Sequence, residues 1–388
     1  MKKILGTLES LDNLQKVLVT IILAVLVYTG SASFSLQVFS KTLGFPRGSG
    51  LVTSLPTATS SVEEDPNVPK TESCPLNGSM HTKNARANWE KRRPLSVMIE
   101  NHEDARPQSG LSSADVIYEA IAEGGITRFM AIFYCNLSDV QVGPVRSART
   151  YYLDWLGEYD GLYVHVGGAN TPGPADSLSQ IIKYRVKDLN QFSIGFPVFW
   201  RDYERLGRTV ATEHTMYSTT QKLWEVGAKR GWTNKEENGN EWNVSFIPWK
   251  FADGKAGSSQ TITVNFWDGA SYKVDWMYDS QCNCYKRKNG GSDHTDLNNK
   301  KQLQPNNVVV QFERESNAND GYENNVHLLY GTTGSGKALI FQNGQVIEGT
   351  WNKSARTSRT KYLDSKGKEF VKGQIWIQTV PEGAKVSY

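Results

Sequence analysis

Apolar residues are distributed along the chain in three different textures. From Val17 to Ser40 there is no charge, and the run is long enough at helical rise to cross a hydrocarbon layer. Residues 17–40 therefore predict a single transmembrane helix behind a short cytoplasmic leader, 1–16. Gly30-Ser31-Ala32 supplies small residues after the apolar run, so a cleaved signal peptide stays open beside a retained anchor. Lys2, Lys3 and Lys16 precede the span, against Lys41 and Arg47 after it, which puts the N-terminus inside and the bulk of the chain outside. Residues 41–88 lack an apolar period and are rich in Ser, Thr and Pro, the composition of a disordered linker.

In the second texture, residues 89–238, short apolar runs alternate with helical patterns. Leu95–Ile99, Phe129–Tyr134 and Leu162–Val166 predict strands; Thr150–Tyr159 and Ser218–Lys229 predict helices, the latter opened by a Ser218-x-x-Gln221 box. Ser112 to Asp115 reads as a further cap, and Asp115–Glu123, which fits both periods, reads as a helix. Together these imply an α/β N-terminal domain with a mixed or mostly parallel sheet. The third texture, 239–388, is a mainly-β C-terminal domain. Thr261–Phe266, Tyr272–Trp276 and Asn307–Phe312 predict its strands, Asn343-Gly344 sits between two alternating runs as a hairpin turn, and Asp364–Gly367 predicts another turn.

Composition narrows the function. Eleven Trp, 17 Tyr and 14 Phe suit a large buried core, and 43 basic against 40 acidic residues leave no basic footprint for nucleic acid. Cys74, Cys135, Cys282 and Cys284 allow three disulfide pairings, and Cys282-x-Cys284 offers too few ligands for zinc. Gly331 to Lys337 has the skeleton of a phosphate loop, but Ala338 replaces the magnesium-binding hydroxyl and a β-type run replaces the helix. No nucleotide, cofactor or metal is expected; a metal site from His102, His165 and His214 would need coincident geometry.

Candidate chemistry gathers at strand ends. Glu100, Asn101, His102 and Asp104, with Arg106, follow the first strand, where open α/β sheets bind ligands. Arg146, Ser147 and Arg149 enter a helix whose positive end disfavours cations unless an anion or acidic side chains offset them. His165, Gly167, Gly168 and Asn170 form a loop that backbone could share with a ligand, and Arg201, Asp202 and His214 are a third polar group. Glu119 and Glu123, four apart, would share a helix face near Arg128, either as acid and base with His102 or as partners of the arginines.

RPLSVMIENHEDARPQSGLSSADVIYEAIAEGGITRFMAIF, GPVRSAR, HVGG, FWRD and GSGKALIFQNGQVIEGTW resemble the YerB-like lipoprotein family over residues 90 to 382. The resemblance implies two family domains on the outer face of a bacterial membrane, and no established activity or catalytic residues. One departure is visible: that family is lipid-anchored through a cysteine after a short signal, and here no cysteine follows the apolar segment before Cys74. The expectation is a noncatalytic envelope module binding an anionic cell-wall component or a wall-synthesis enzyme. A hydrolase or transferase acting on wall glycan or phosphodiester bonds is the alternative.

Overall fold

Strands that are apolar at consecutive positions, and not merely at alternate ones, make the centre of the molecule. The computed structural model describes residues 64–267, 269–363 and 369–388, which lie within one compact unit. Ten strands share one sheet: β1 (Leu95–Glu100), β2 (Val116–Glu123), β3 (Ile126–Phe133), β4 (Leu162–His165), β5 (Lys187–Asn190), β6 (Asn307–Glu313), β7 (Gly334–Gln342), β8 (Gln345–Lys353), β9 (Lys361–Leu363) and β10 (Ile375–Pro381). Their spatial order is β9-β8-β7-β6-β10-β2-β3-β1-β4-β5. The sheet is mixed: β10 runs parallel to both its neighbours, as does β4, and the remaining pairs are antiparallel. The α/β expectation is corrected accordingly to a mostly β fold with few helices. Strand β10, from near the C-terminus, pairs Gln378 with Glu119 on one side and with Val310 on the other. The change of texture near residue 239 therefore does not interrupt the hydrogen-bond ladder.

Both faces of this sheet are covered, which explains the missing alternation. On one face Val97, Ile117, Ile121 and Phe129 pack against a five-stranded sheet through Ile262, Val264 and Trp276, and against helix α2 (Thr220–Lys229) through Leu223 and Trp224. On the other, Met98, Tyr118 and Met130 meet Tyr151, Tyr152 and Trp155 of helix α1 (Thr150–Leu156). Asp115–Glu123 is thus a strand and not a helix. Its backbone hydrogen-bonds on both sides, to β3 and β10, and the doubly buried environment accepts apolar residues at adjacent positions. Nor does Asp115 cap a helix: its carboxylate accepts from the Tyr134 and Cys135 amides. At α2 the cap is Thr219, whose hydroxyl accepts from Lys222, while Ser218 donates to the Val198 carbonyl.

The end of the expected linker is built into the fold. Residues 83–89 form a helix, and Cys74, Leu76, Ala85 and Trp89 are buried, Cys74 being bonded to Cys135. A covalent tie and a few anchored apolar side chains hold a stretch whose composition alone would not. The Asn343-Gly344 hairpin forms between β7 and β8, with φ of +57° and +64° at its two central residues. A Cβ on Gly344 would meet the Ser258 carbonyl at 2.2 Å, so this turn also needs glycine for space. Gly331 to Lys337 runs into β7, with Lys337 over the Phe312 ring. The leader, the 17–40 span, the first part of the linker and the Asp364–Gly367 turn lie outside the described residues. Among the described residues no helix is long and apolar enough to cross a membrane.

Candidate functional site

The C-terminal end of β1 carries Glu100, a buried carboxylate reached from two distant segments. Residues 144–146 lie along β1, the Arg146 amide donating to the Met98 carbonyl and the Glu100 amide to Pro144, which brings the Arg146 guanidinium to 3.1 Å from Glu100. The turn Thr212–His214 delivers the second contact, His214 Nδ1 to Glu100 Oε2 at 2.8 Å. His102 stacks on His214 with ring centroids 4.9 Å apart. Pairing of Trp200–Arg201 with Met216–Thr219 sets Arg201 against the same turn, where it donates to Thr212, and the Asp202 amide donates to Thr215.

Arg146 is the member best placed for a ligand. Its side chain is 22% exposed, its Nε has no aligned hydrogen-bond partner, and its two terminal nitrogens make no hydrogen bond among the described residues. Burial, and then the neighbouring Arg128, depress its pKa, although Glu100 opposes both. His214 moves the other way: the hydrogen bond to Glu100 raises its pKa against the effect of burial, favouring the imidazolium. Glu123 and Glu213 also act on these cations, so what the group leaves open to an anion is the part of the Arg146 guanidinium that makes no hydrogen bond.

A second cluster adjoins the first. Glu123 accepts from Arg128 at 3.0 Å and from Arg149, while Arg128 also donates to the Ser147 carbonyl. Burial pushes the Glu123 pKa up, but Arg128, Arg149 and Arg146 overcome it and hold the carboxyl down at about 2. Because the folded value lies below the ordinary value near 4.5, this stabilisation is complete above that pH and disappears as pH falls towards 2. Discounted for partial exposure, acidification across that window is expected to remove about 2 kcal/mol through this group. Urea unfolding of wild type and Glu123→Gln at pH 5 and pH 3 measures it: the wild type should lose more stability than the variant, and equal losses would refute the assignment.

Glu119 belongs to neither cluster. Fully buried on β2, it accepts from Thr127, Arg287, Trp376 and Gln378, facing the five-stranded sheet. Arg287 lies 4.5 Å from the centroid of the Trp376 ring and 4.9 Å from that of Trp276. From Arg287 the bonds continue outward: its Nε donates to His294 Nδ1, and the opposite nitrogen of that ring meets Gln108. Burial, then Arg287 and Arg106, keep His294 neutral, so its Nε2 carries the proton donated to Gln108 Oε1. Gln108 in turn donates to the Glu100 carbonyl and to Asn101, which also receives Arg106. A buried chain of polar groups thereby braces the loop after β1.

Other expected residues fall outside these contacts. His165 is buried and bonded to the Gly167 carbonyl and to Asp188, so it does not join His102 and His214. Gly167 and Gly168 receive the chain around Ala148 through backbone pairing, and Asn170 is exposed. Asp104 is exposed and paired with Arg208, a residue no sequence signal marked. His102, Asp104 and His214 do bring donor atoms within 4.8 Å of one another. However, His102 Nδ1 already accepts the Asp104 amide and His214 Nδ1 already binds Glu100. Glu213, which favours the charged form of His214, stands next to it in sequence and was open to inference; Arg287, Gln108 and His294 were not.

Residues 80–233 match the family described as the N-terminal domain of a protein of unknown function (DUF3048), and residues 262–377 match its C-terminal domain. The Bacillus subtilis (strain 168) protein named "Putative lipoprotein YerB" is 32% identical over 296 residues, covering 75% of this chain and 82% of its own length. A crystal structure of YerB from Bacillus subtilis superposes with a TM-score of 0.67 at 28% identity, covering 82% of this chain and all of that one.

Proposed function

The chain belongs to the YerB-like family, whose two domains are of unknown function, and from that premise we propose a noncatalytic envelope module that binds an anionic cell-wall polymer. The observation that carries this reading is the Arg146 guanidinium: partly exposed, short of hydrogen-bond acceptors, and flanked by a His214 that Glu100 holds towards its charged form. A phosphate or carboxylate oxygen arriving from solvent would satisfy the terminal nitrogens of Arg146, its Nε being buried against Glu100. His102, stacked on His214, leads outward to Asp104, which pairs with Arg208. The lipoprotein name of the Bacillus subtilis relative supports an extracytoplasmic, membrane-anchored location for this chain too. Lipid attachment at Cys74 is not the route, since that sulfur is committed to Cys135; residues 17–40 serve as the anchor in this reading.

The hydrolytic alternative has less support. Its acids would be Glu119, enclosed by four hydrogen-bond donors, and Glu123, whose pKa near 2 suits neither proton donor nor base at neutral pH. A wall-synthesis enzyme as partner is the competing outcome, read by a parallel titration of the chain with purified wall-synthesis enzymes. The full chain is titrated with fractionated anionic wall polymer, where Arg146→Ala is expected to weaken binding about tenfold, or about 1.4 kcal/mol. Equal affinity in wild type and variant, or release of polymer fragments that depends on Glu123, would overturn the proposal. So would binding to a wall-synthesis enzyme alone.

A further inference from the structure

Cys282 and Cys284 form a disulfide across a single residue at the hairpin that joins strand Lys273–Asp279 to strand Cys284–Asn289. Those strands stay in register up to the Asp279–Cys284 pair, so the cross-link closes a loop that the ladder has closed already. The conformational benefit of a disulfide grows with the length of chain it encloses, which leaves this one little to contribute. The other disulfide behaves oppositely: it spans 61 residues between two fully buried sulfurs. At the hairpin, Cys282 is exposed and Cys284 is buried. A hollow of about 430 Å³ adjoins the same turn, lined among others by Met277, Tyr278, Asp279, Gln281 and Lys286. Cys282 does not line the hollow itself but directly follows Gln281, which does.

We propose that Cys282–Cys284 is a thiol–disulfide exchange site that oxidises a dithiol in a second polypeptide. A thiolate of the partner attacks Cys282 Sγ and forms a mixed disulfide. The Cys282–Cys284 bond breaks, its electron pair passing to Cys284, which takes up a proton. The partner's second thiolate then attacks the partner's own sulfur in the mixed disulfide, and Cys282 leaves as a thiolate and is protonated. Two electrons move: the partner dithiol becomes a disulfide and the hairpin disulfide becomes a dithiol, the two protons lost by the first appearing on the second. Monothiols are poor substrates by the same geometry. Cys284, only two residues from Cys282 and fixed opposite Asp279 by the ladder, re-attacks the mixed disulfide intramolecularly and expels a lone thiol, whereas a second thiol on the partner competes.

The test uses the full-length chain purified without reductant. It is mixed with one equivalent of a reduced Cys-x-x-Cys peptide, or separately with one equivalent of glutathione, then alkylated and mapped by mass spectrometry. The peptide should become oxidised while Cys282 and Cys284 are alkylated together and Cys74–Cys135 stays intact; glutathione should yield no net reduction. A Cys282→Ser/Cys284→Ser double variant should oxidise the peptide at least tenfold more slowly. A hairpin disulfide that persists beside reduced peptide, reduction of Cys74–Cys135 ahead of it, or oxidation as fast in the double variant would each sink the proposal. The first two outcomes are read on the unaltered chain, so they hold whether or not the variant folds.

Discussion

Replacing Arg287 with methionine is expected to lower the free energy of unfolding by about 3–5 kcal/mol, because it leaves the fully buried Glu119 carboxylate without its cation. Three hydrogen bonds to Glu119, from Thr127, Trp376 and Gln378, would survive, but hydrogen bonds from neutral groups do not balance a charge withdrawn from water. The effect should reach the site as well, since Arg287 anchors the His294–Gln108 chain that holds the loop carrying Asn101 and His102. Denaturant unfolding of three variants separates charge from packing. Arg287→Met and Glu119→Gln should each be strongly destabilised, and the double variant should be more stable than the sum of their losses implies, as expected of directly coupled groups. Additive losses would mean that the pair is not coupled and that the aromatic enclosure alone carries the cost.

Removing the Cys74–Cys135 bridge, by serine at both positions, is expected to cost about 4 kcal/mol in the chain-entropy account of a loop this long. The loss should be felt first by residues 64–89, whose place in the fold depends on Cys74, Leu76 and Trp89 packing beneath β3 and on Asn77 donating to Asp115. Reductant titration followed by limited proteolysis checks this: cleavage within that stretch should precede global unfolding. Simultaneous cleavage throughout the chain would show that the segment is not a separate cooperative layer.

Local features legible in the sequence were those decided by nearest neighbours. The apolar runs at Leu95, Phe129, Leu162 and Asn307 became strands, and Asn343-Gly344 became a turn, because strand preference and left-handed backbone are properties of a few adjacent residues. Glu100 and His102 were also recognisable as candidates at a strand end, Arg146 as a cation entering a predicted helix, and His214 as part of a further polar group. Glu119 was misassigned to a helical face shared with Glu123. Its strand lies between β3 and β10, and no local period reveals that a residue more than 250 positions away will hydrogen-bond beside it. Arg287 shows the same limit more sharply. In Lys286-Arg287-Lys288 all three side chains are basic, and only the register of that strand turns the middle one inward to Glu119 and leaves its neighbours facing water. The order of residues by itself determined which segments extend, where they turn and which groups carry charge, since those follow from short-range sterics and side-chain chemistry. Which carboxylate would be enclosed and which guanidinium left partly free was decided only by the tertiary structure, because burial depends on strands brought together from opposite ends of the chain.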